Sequence, residues 1–329
     1  MDYHTEDRRG EEAPPADGHD RPAERPSQIP PRGWWDILKR VGSGISQKNL
    51  SLAASGAAFY AFLAIPSALT ALVTFYGLML NPADVGKQVA AMHGVVPGEA
   101  LGLISTQLHS LTSHSSQTLG ISFIISLLVA IWGVMSGTTS MMSALNMAYG
   151  EAEKRSLFRY YLTALVLAVA TIVAVVIALA LIAVLPIVIG MMPLGGFGQW
   201  VATVVRWPIL IVLVLIALAV LFRYAPSRTE PKWHWVNWGA IAATVVWIAG
   251  SALFSLYVGE FATYNRTYGS LGAVVVLMMW LYVSAFAVLL GAVFNAEIER
   301  QTKRDSTTGP EKPMGRRGAH AADTLGREP

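Results

Sequence analysis

The chain has 329 residues, 53% of them hydrophobic, and a mean hydropathy of +0.47, which excludes an ordinary water-soluble domain. It contains no cysteine, which excludes disulfides, thiol catalysis and thiolate metal sites. The net charge of +3 arises from 24 basic and 21 acidic residues, and no basic stripe interleaved with aromatics marks a nucleic-acid surface, so no nucleic-acid partner is expected.

Residues 1–31 are rich in Pro, Glu, Asp and Arg and poor in large apolar side chains, which predicts a disordered tail. A membrane domain is expected over 33–300. It opens with a short amphipathic helix over 33–47, grouping Trp34, Trp35, Leu38, Val41 and Ile45 and leaving Asp36, Lys39 and Arg40 elsewhere. That helix suits the cytoplasmic membrane interface, or equally a packed position against the loops.

Six apolar stretches follow, at 52–80, 119–142, 161–189, 201–222, 238–258 and 271–293. Each approaches or exceeds the roughly 20 residues a helix needs to cross a bilayer, and none shows the two-residue alternation of a barrel strand. The fold class is therefore all-α: a polytopic membrane protein of six spans. The loop 81–117 carries a helix-start signal at Pro97 and an apolar stripe at Leu101, Ile104, Leu108 and Leu111, which predicts an outer helical hairpin. Alternate connections differ sharply in charge. Lys87 is the single basic residue between the first two spans, 190–200 has none, and Arg266 stands alone between the last two. Lys39, Arg40, Lys48, Lys154, Arg155, Arg159, Arg223, Arg228, Lys232 and the run from Arg300 onward crowd the other side. This asymmetry predicts both termini in the cytoplasm. The tail 302–329 reads as disordered.

Within the spans, small residues recur four apart: Ala53, Ala57 and Ala61; Gly133 and Gly137; Ala287 and Gly291. This spacing lets helices approach closely in lipid. Pro66 and Pro186 lie inside spans and predict kinks.

No nucleophile with its base, carboxylate pair or phosphate-cradling Gly-Lys-Ser loop stands out, and His93, His109 and His114 lack zinc-ligand spacing. No catalytic, cofactor or metal site is expected, and the chain does not read as an enzyme. Polar groups near the membrane are the candidates for a substrate path or gate, because such placement is costly. At the outer side these are Arg206, Glu260, Tyr264, Asn265 and Tyr268. At the inner side they are Asn146, Arg155, Arg159, Arg223, Asn295 and Glu297. The inner group suits either an anionic headgroup or salt bridges tying helix ends together.

The segments 49–77 and 132–150, the turn LFRYAPSR at 221–228 and the stretch from Tyr257 to Glu299 ending in NAEIE occur in this order. In these motifs the chain resembles the YihY/BrkB family, inner-membrane proteins once labelled ribonuclease BN. The resemblance spans roughly 34–300. It implies a six-helix bacterial inner-membrane fold without an agreed biochemical activity, and a link to lipid export through one relative. One departure stands out: the family commonly has an acidic residue after Gly-Ala near the end of the last span, whereas Gly291-Ala292 is followed here by Val293. The expected function is that of a transporter or lipid-translocating protein. Its partners are membrane lipids and a lipid or small-solute substrate, with a path between spans one, two, five and six. The alternative is a non-transporting scaffold working through its termini and outer hairpin.

Overall fold

Helix α1 (Pro31–Gln47) begins with a proline at its first position, where the missing N–H forfeits no bond and φ is already set. In the computed structural model, residues 26–79, 116–185, 189, 195–260 and 270–326 are described. Gly33, Ile37, Val41 and Gly44 form the buried stripe of α1. Trp35 and Leu38, expected on that stripe, point outward instead, 60% and 52% exposed. A turn of about 3.6 residues sets Trp34, Ile37, Val41 and Ile45 in line and leaves positions 35 and 38 off it. Arg40, expected on the polar face, turns inward to Glu297.

At Asn49 the backbone adopts a left-handed conformation, φ 49°, which asparagine tolerates better than most residues. The chain then departs at 65° to α1 as α2 (Leu50–Met79). There follow α3 (Ser116–Tyr149), α4 (Leu157–Leu179) with a π-helical turn Ala180–Val184, α5 (Gly195–Tyr224), α6 (Trp233–Glu260), α7 (Ser270–Glu299) and the single turn α8 (His320–Asp323). Helices α3 to α7 each hold a stretch long and apolar enough to cross a membrane, and the bent α1–α2 pair makes a sixth if counted as one span. The helices outrun the expected limits: α3 ends at Tyr149 rather than 142, and α7 at Glu299 rather than 293. Hydropathy marks where the apolar side chains stop, whereas the hydrogen-bond ladder continues. The outer hairpin lies outside the described residues, apart from the start of α3, as does Pro186. Pro66 lies within α2, and Pro208, which hydropathy alone did not single out, within α5.

α2 pairs most extensively with α3 and α6 with α7, and α7 also touches α1, α2 and α3. These helices form the core. α4 and α5 join it more thinly, α4 through α3, α5 through α6, and each through the other. Small residues bring the core helices together. A Cβ added at Gly133 would sit 3.0 Å from the Ala64 backbone, and one at Gly291 would sit 2.5 Å from the Gly239 carbonyl oxygen. Apolar burial drives little helix association in lipid, so such close dispersion contacts carry more of the packing.

The connections 150–156 and 225–232 and the segment 300–326 meet at one end of the bundle, here termed the basic end. Lys48 Nζ donates to the Ala148 carbonyl at 2.5 Å, the Lys154 amide to Ser227 Oγ at 2.9 Å and the Thr229 amide to the Gly318 carbonyl at 3.0 Å. The tail expected to be disordered from 302 is ordered there through 326. Thr302, Asp305, Ser306, Thr307 and Arg317 are buried, and Thr307 bridges to Pro231. Arg317 donates to the carbonyls of Lys303, Arg304, Lys312 and Ala322 at 2.6–3.2 Å. Polar bonds hold this segment, with Ala319, Ala321 and Ala322 buried beside them.

Candidate functional site

The loop between α3 and α4 begins at Gly150, whose positive φ of 72° ends α3, and runs along the loop between α5 and α6. Asn146, in the last turn of α3, joins the two: its Oδ1 accepts the Ser227 amide at 2.7 Å and its Nδ2 donates to Glu153 at 3.0 Å. Arg155 pairs with Glu153 at 2.8 Å and donates to the Ala225 carbonyl at 2.6 Å. Burial pushes the Glu153 carboxyl up, but the bonds from Arg155 and Asn146 outweigh it and hold it at about 2.

The two loops frame a cleft of about 860 Å³ between the basic ends of α4 and α5. Lys154, Arg155, Arg159, Arg223 and Arg228 line it against one carboxylate, Glu230. Three of these arginines have close carboxylate partners: Arg155 with Glu153, Arg223 with Glu230 at 2.9 Å, and Arg228 with Glu299 at 2.7 Å. Arg223 also donates to the Pro231 carbonyl and stacks 4.6 Å from the Trp233 ring. Lys154, 64% exposed, reaches Glu151 at 3.4 Å. Arg159, in the first turn of α4, is exposed and makes no ion pair among the described residues.

Behind the cleft lies a buried polar core at the junction of α3, α6 and α7. Asn295 Oδ1 accepts the Gly239 amide at 2.6 Å, and its Nδ2 donates to the Val236 carbonyl at 3.0 Å and to Tyr149 Oη at 3.3 Å. A Cβ at Gly239 would fall 2.3 Å from the Asn295 amide carbon, so the contact requires glycine there. Glu299 receives both oxygens' bonds from Arg228 Nη2, at 2.9 and 2.7 Å, and a third from Ser306. Burial lowers the Arg228 pKa, but Glu299 outweighs it and the net direction is upward. Glu297 holds Arg40 at 2.8 Å and Arg300 at 2.9 Å.

Six of the expected site residues therefore meet at the basic end. Arg155, Arg159 and Arg223 face the cleft, Asn146 braces its loops, and Asn295 and Glu297 sit in the polar core among fixed partners. Arg206 is remote, in the distal half of α5, with its guanidinium 5.3 Å from the Trp207 ring. Glu260 is the last residue of α6, and Tyr264, Asn265 and Tyr268 lie outside the described residues. Spans one, two, five and six, where a path was expected, are the core helices α2, α3, α6 and α7. The cleft of about 860 Å³ lies beside α4 and α5. A second cavity of about 520 Å³ lies between α6 and α7 near Ser251 and Trp280. Sequence reading did not join Arg228 to Glu299 or include Glu230 and the Arg317 turn, since no local motif signals a pairing 71 residues apart. Among the described residues, no three of His, Asp or Glu group as a metal site.

Along the helices, large apolar side chains face outward, Leu253 and Leu256 each 69% exposed and Val166 59%. Such a surface has no counterpart on a soluble monomer and fits hydrocarbon. The molecule is an all-helical, multi-pass membrane protein. The family described as virulence factor BrkB matches residues 41–315, and the chain belongs to it. The chain is 30% identical over 260 residues to the ribonuclease-like protein YfkH of Bacillus subtilis, covering 77% of this chain and 91% of that one. It is 25% identical to the UPF0761 membrane protein AZOSEA40600 of Aromatoleum aromaticum, over 74% of this chain and 59% of that one. It is 33% identical to the UPF0761 membrane protein IL2447 of Idiomarina loihiensis, over 29% of this chain and 33% of that one. No solved structure matches the chain.

Proposed function

We propose that this protein sits in a bacterial cytoplasmic membrane with its basic end inward, and that it translocates a lipid or a small solute rather than catalysing a reaction. The positive-inside rule supports the orientation, because the cations at 154–159, 223–232 and 300–317 gather at one end. One observation carries the functional reading. α4 and α5 pack thinly on each other and leave between their basic ends a cation-lined cleft, where an amphiphile enters from the side. The ribonuclease-like name of one relative has no counterpart in this cleft, where the single lining carboxylate, Glu230, is held by Arg223. The scaffold alternative works through the termini and the outer hairpin, of which 1–25 and 80–115 lie outside the described residues.

Dithionite quenching of fluorescent phospholipids in proteoliposomes tests the proposal. Quenching beyond the outer-leaflet fraction of empty vesicles is the expected result. Curves that match empty vesicles, combined with no uptake of solutes under an imposed gradient, contradict it.

A further inference from the structure

Arg159 begins a stripe on α4 that continues through Leu162, Val166, Ala170, Val173 and Ile177, at three- and four-residue spacing. Residues so spaced share one face of a helix. On α5 the opposing stripe runs from Arg223 back through Val220, Ile216 and Leu213. The two stripes do not interlock. Between them an apolar groove of about 260 Å³ continues from the cationic cleft, and both cavities share Leu167, Ala170 and Val220 as walls. The side chains along it open to the surroundings: Val166 is 59% exposed, Val173 51% and Ile216 56%.

We propose that this groove is a binding site for an anionic phospholipid, with its phosphate at Arg159 and Lys154 and one acyl chain laid between α4 and α5. The charge is complementary, since Arg155, Arg223 and Arg228 are paired while Arg159 carries an uncommitted guanidinium and Lys154 a weak, exposed contact. A guanidinium matches phosphate oxygens with two parallel bonds. Arg223 Nε and Arg228 Nη1, both in residues of the cleft wall, have no hydrogen-bond acceptor among the described residues, so donors remain unfilled behind the mouth. The length also fits. From Leu162 to Ile177 the groove rises about 22 Å at ~1.5 Å per residue, more than the ~15 Å depth of one hydrocarbon leaflet. A free phosphate would leave the apolar part unused, and a zwitterionic lipid such as phosphatidylcholine would bring its own choline cation against Lys154 and Arg159. The site rests on the orientation and membrane placement proposed above, because the mouth must face a leaflet that supplies anionic headgroups.

Native mass spectrometry of the purified full-length protein tests the site, with phosphatidylglycerol, phosphatidylcholine and inorganic phosphate as probes. The expected result is retained phosphatidylglycerol, held at least about tenfold more tightly than phosphatidylcholine and not displaced by inorganic phosphate. Arg159→Ala should lower phosphatidylglycerol affinity about tenfold, the ratio that ~1.4 kcal/mol represents. Ala170→Phe, which fills the shared wall, should lower retention of both lipids. Equal retention of the two lipids with no effect of Arg159→Ala overturns the proposal, as does full competition by inorganic phosphate. If Ala170→Phe fails to fold, the exposed Arg159→Ala decides the outcome alone. Retained, Arg159-dependent lipid in a protein that moves nothing across liposomes would sink the translocation reading and leave the site standing. Movement of lipid or solute without such binding would do the reverse.

Discussion

Asn295 shows how one side chain fixes two helices. Its amide is wholly buried and uses both ends, bonding Gly239, Val236 and Tyr149. Replacing it by alanine strands the Tyr149 hydroxyl and should destabilise the folded protein by about 1–3 kcal/mol, read as a lower thermal midpoint in detergent. Gly239→Ala should be harmful alone and milder in the Asn295→Ala background, because the added methyl then has space; equal effects in both backgrounds would refute the contact. The Arg228–Glu299 pair, with side chains 0% and 1% exposed, behaves differently. Removing one partner leaves a buried charge and should cost about 3–5 kcal/mol, whereas Arg228→Met with Glu299→Met should cost less than either single change. Acid acts through Glu153. Its carboxyl is depressed from 4.5 to about 2, so its contribution is present above pH 4.5 and disappears as the pH falls through about 2. Glu153→Gln should flatten the thermal-stability profile across that window. An unchanged slope would show that the Arg155 contact contributes nothing.

At the scale of the helix, the sequence carried most of the fold. The apolar stretches located α3 to α7 because lipid demands long uninterrupted runs, and the four-residue spacing of Gly133 and Gly291 marked real close approaches. A leucine at Gly291 should separate α6 from α7 and abolish monodisperse expression, since even a methyl meets the Gly239 oxygen at 2.5 Å. Gly196→Ala, where nothing lies within 4 Å, should leave the elution profile unchanged. The helix ends were less legible. Trp35 and Ile37 are both apolar, and only the direction of α7 decides which is buried. The site was legible by composition and not by partnership: Arg155, Arg159 and Arg223 were recognisable as inner-side cations, but which of them remains uncommitted depends on carboxylates from distant segments.

For the molecule as a whole, the basic end acts as a folded cap. Residues 301–326 bond the loops of 150–156 and 225–232 through Ser306, Thr308, Gly318 and His320. Composition predicts disorder in this tail, because charged segments seldom bury enough apolar surface to order. Arg317 and Asp305 instead order it by satisfying backbone groups directly. Truncation after Gln301 should therefore uncover Glu299 and lower the thermal midpoint, and a truncated protein as stable as the intact one would contradict the cap. The cap and the cleft share one end of the bundle, the end proposed to face inward. The absence of native cysteine makes that side directly measurable. Single cysteines at Met314, exposed on the cap, and at Gly196, at the start of α5, can be challenged with an impermeant maleimide in intact spheroplasts. With the basic end inward, Gly196→Cys is labelled in intact spheroplasts and Met314→Cys only after permeabilisation. Labelling of Met314→Cys in intact spheroplasts would contradict the inward placement of the basic end.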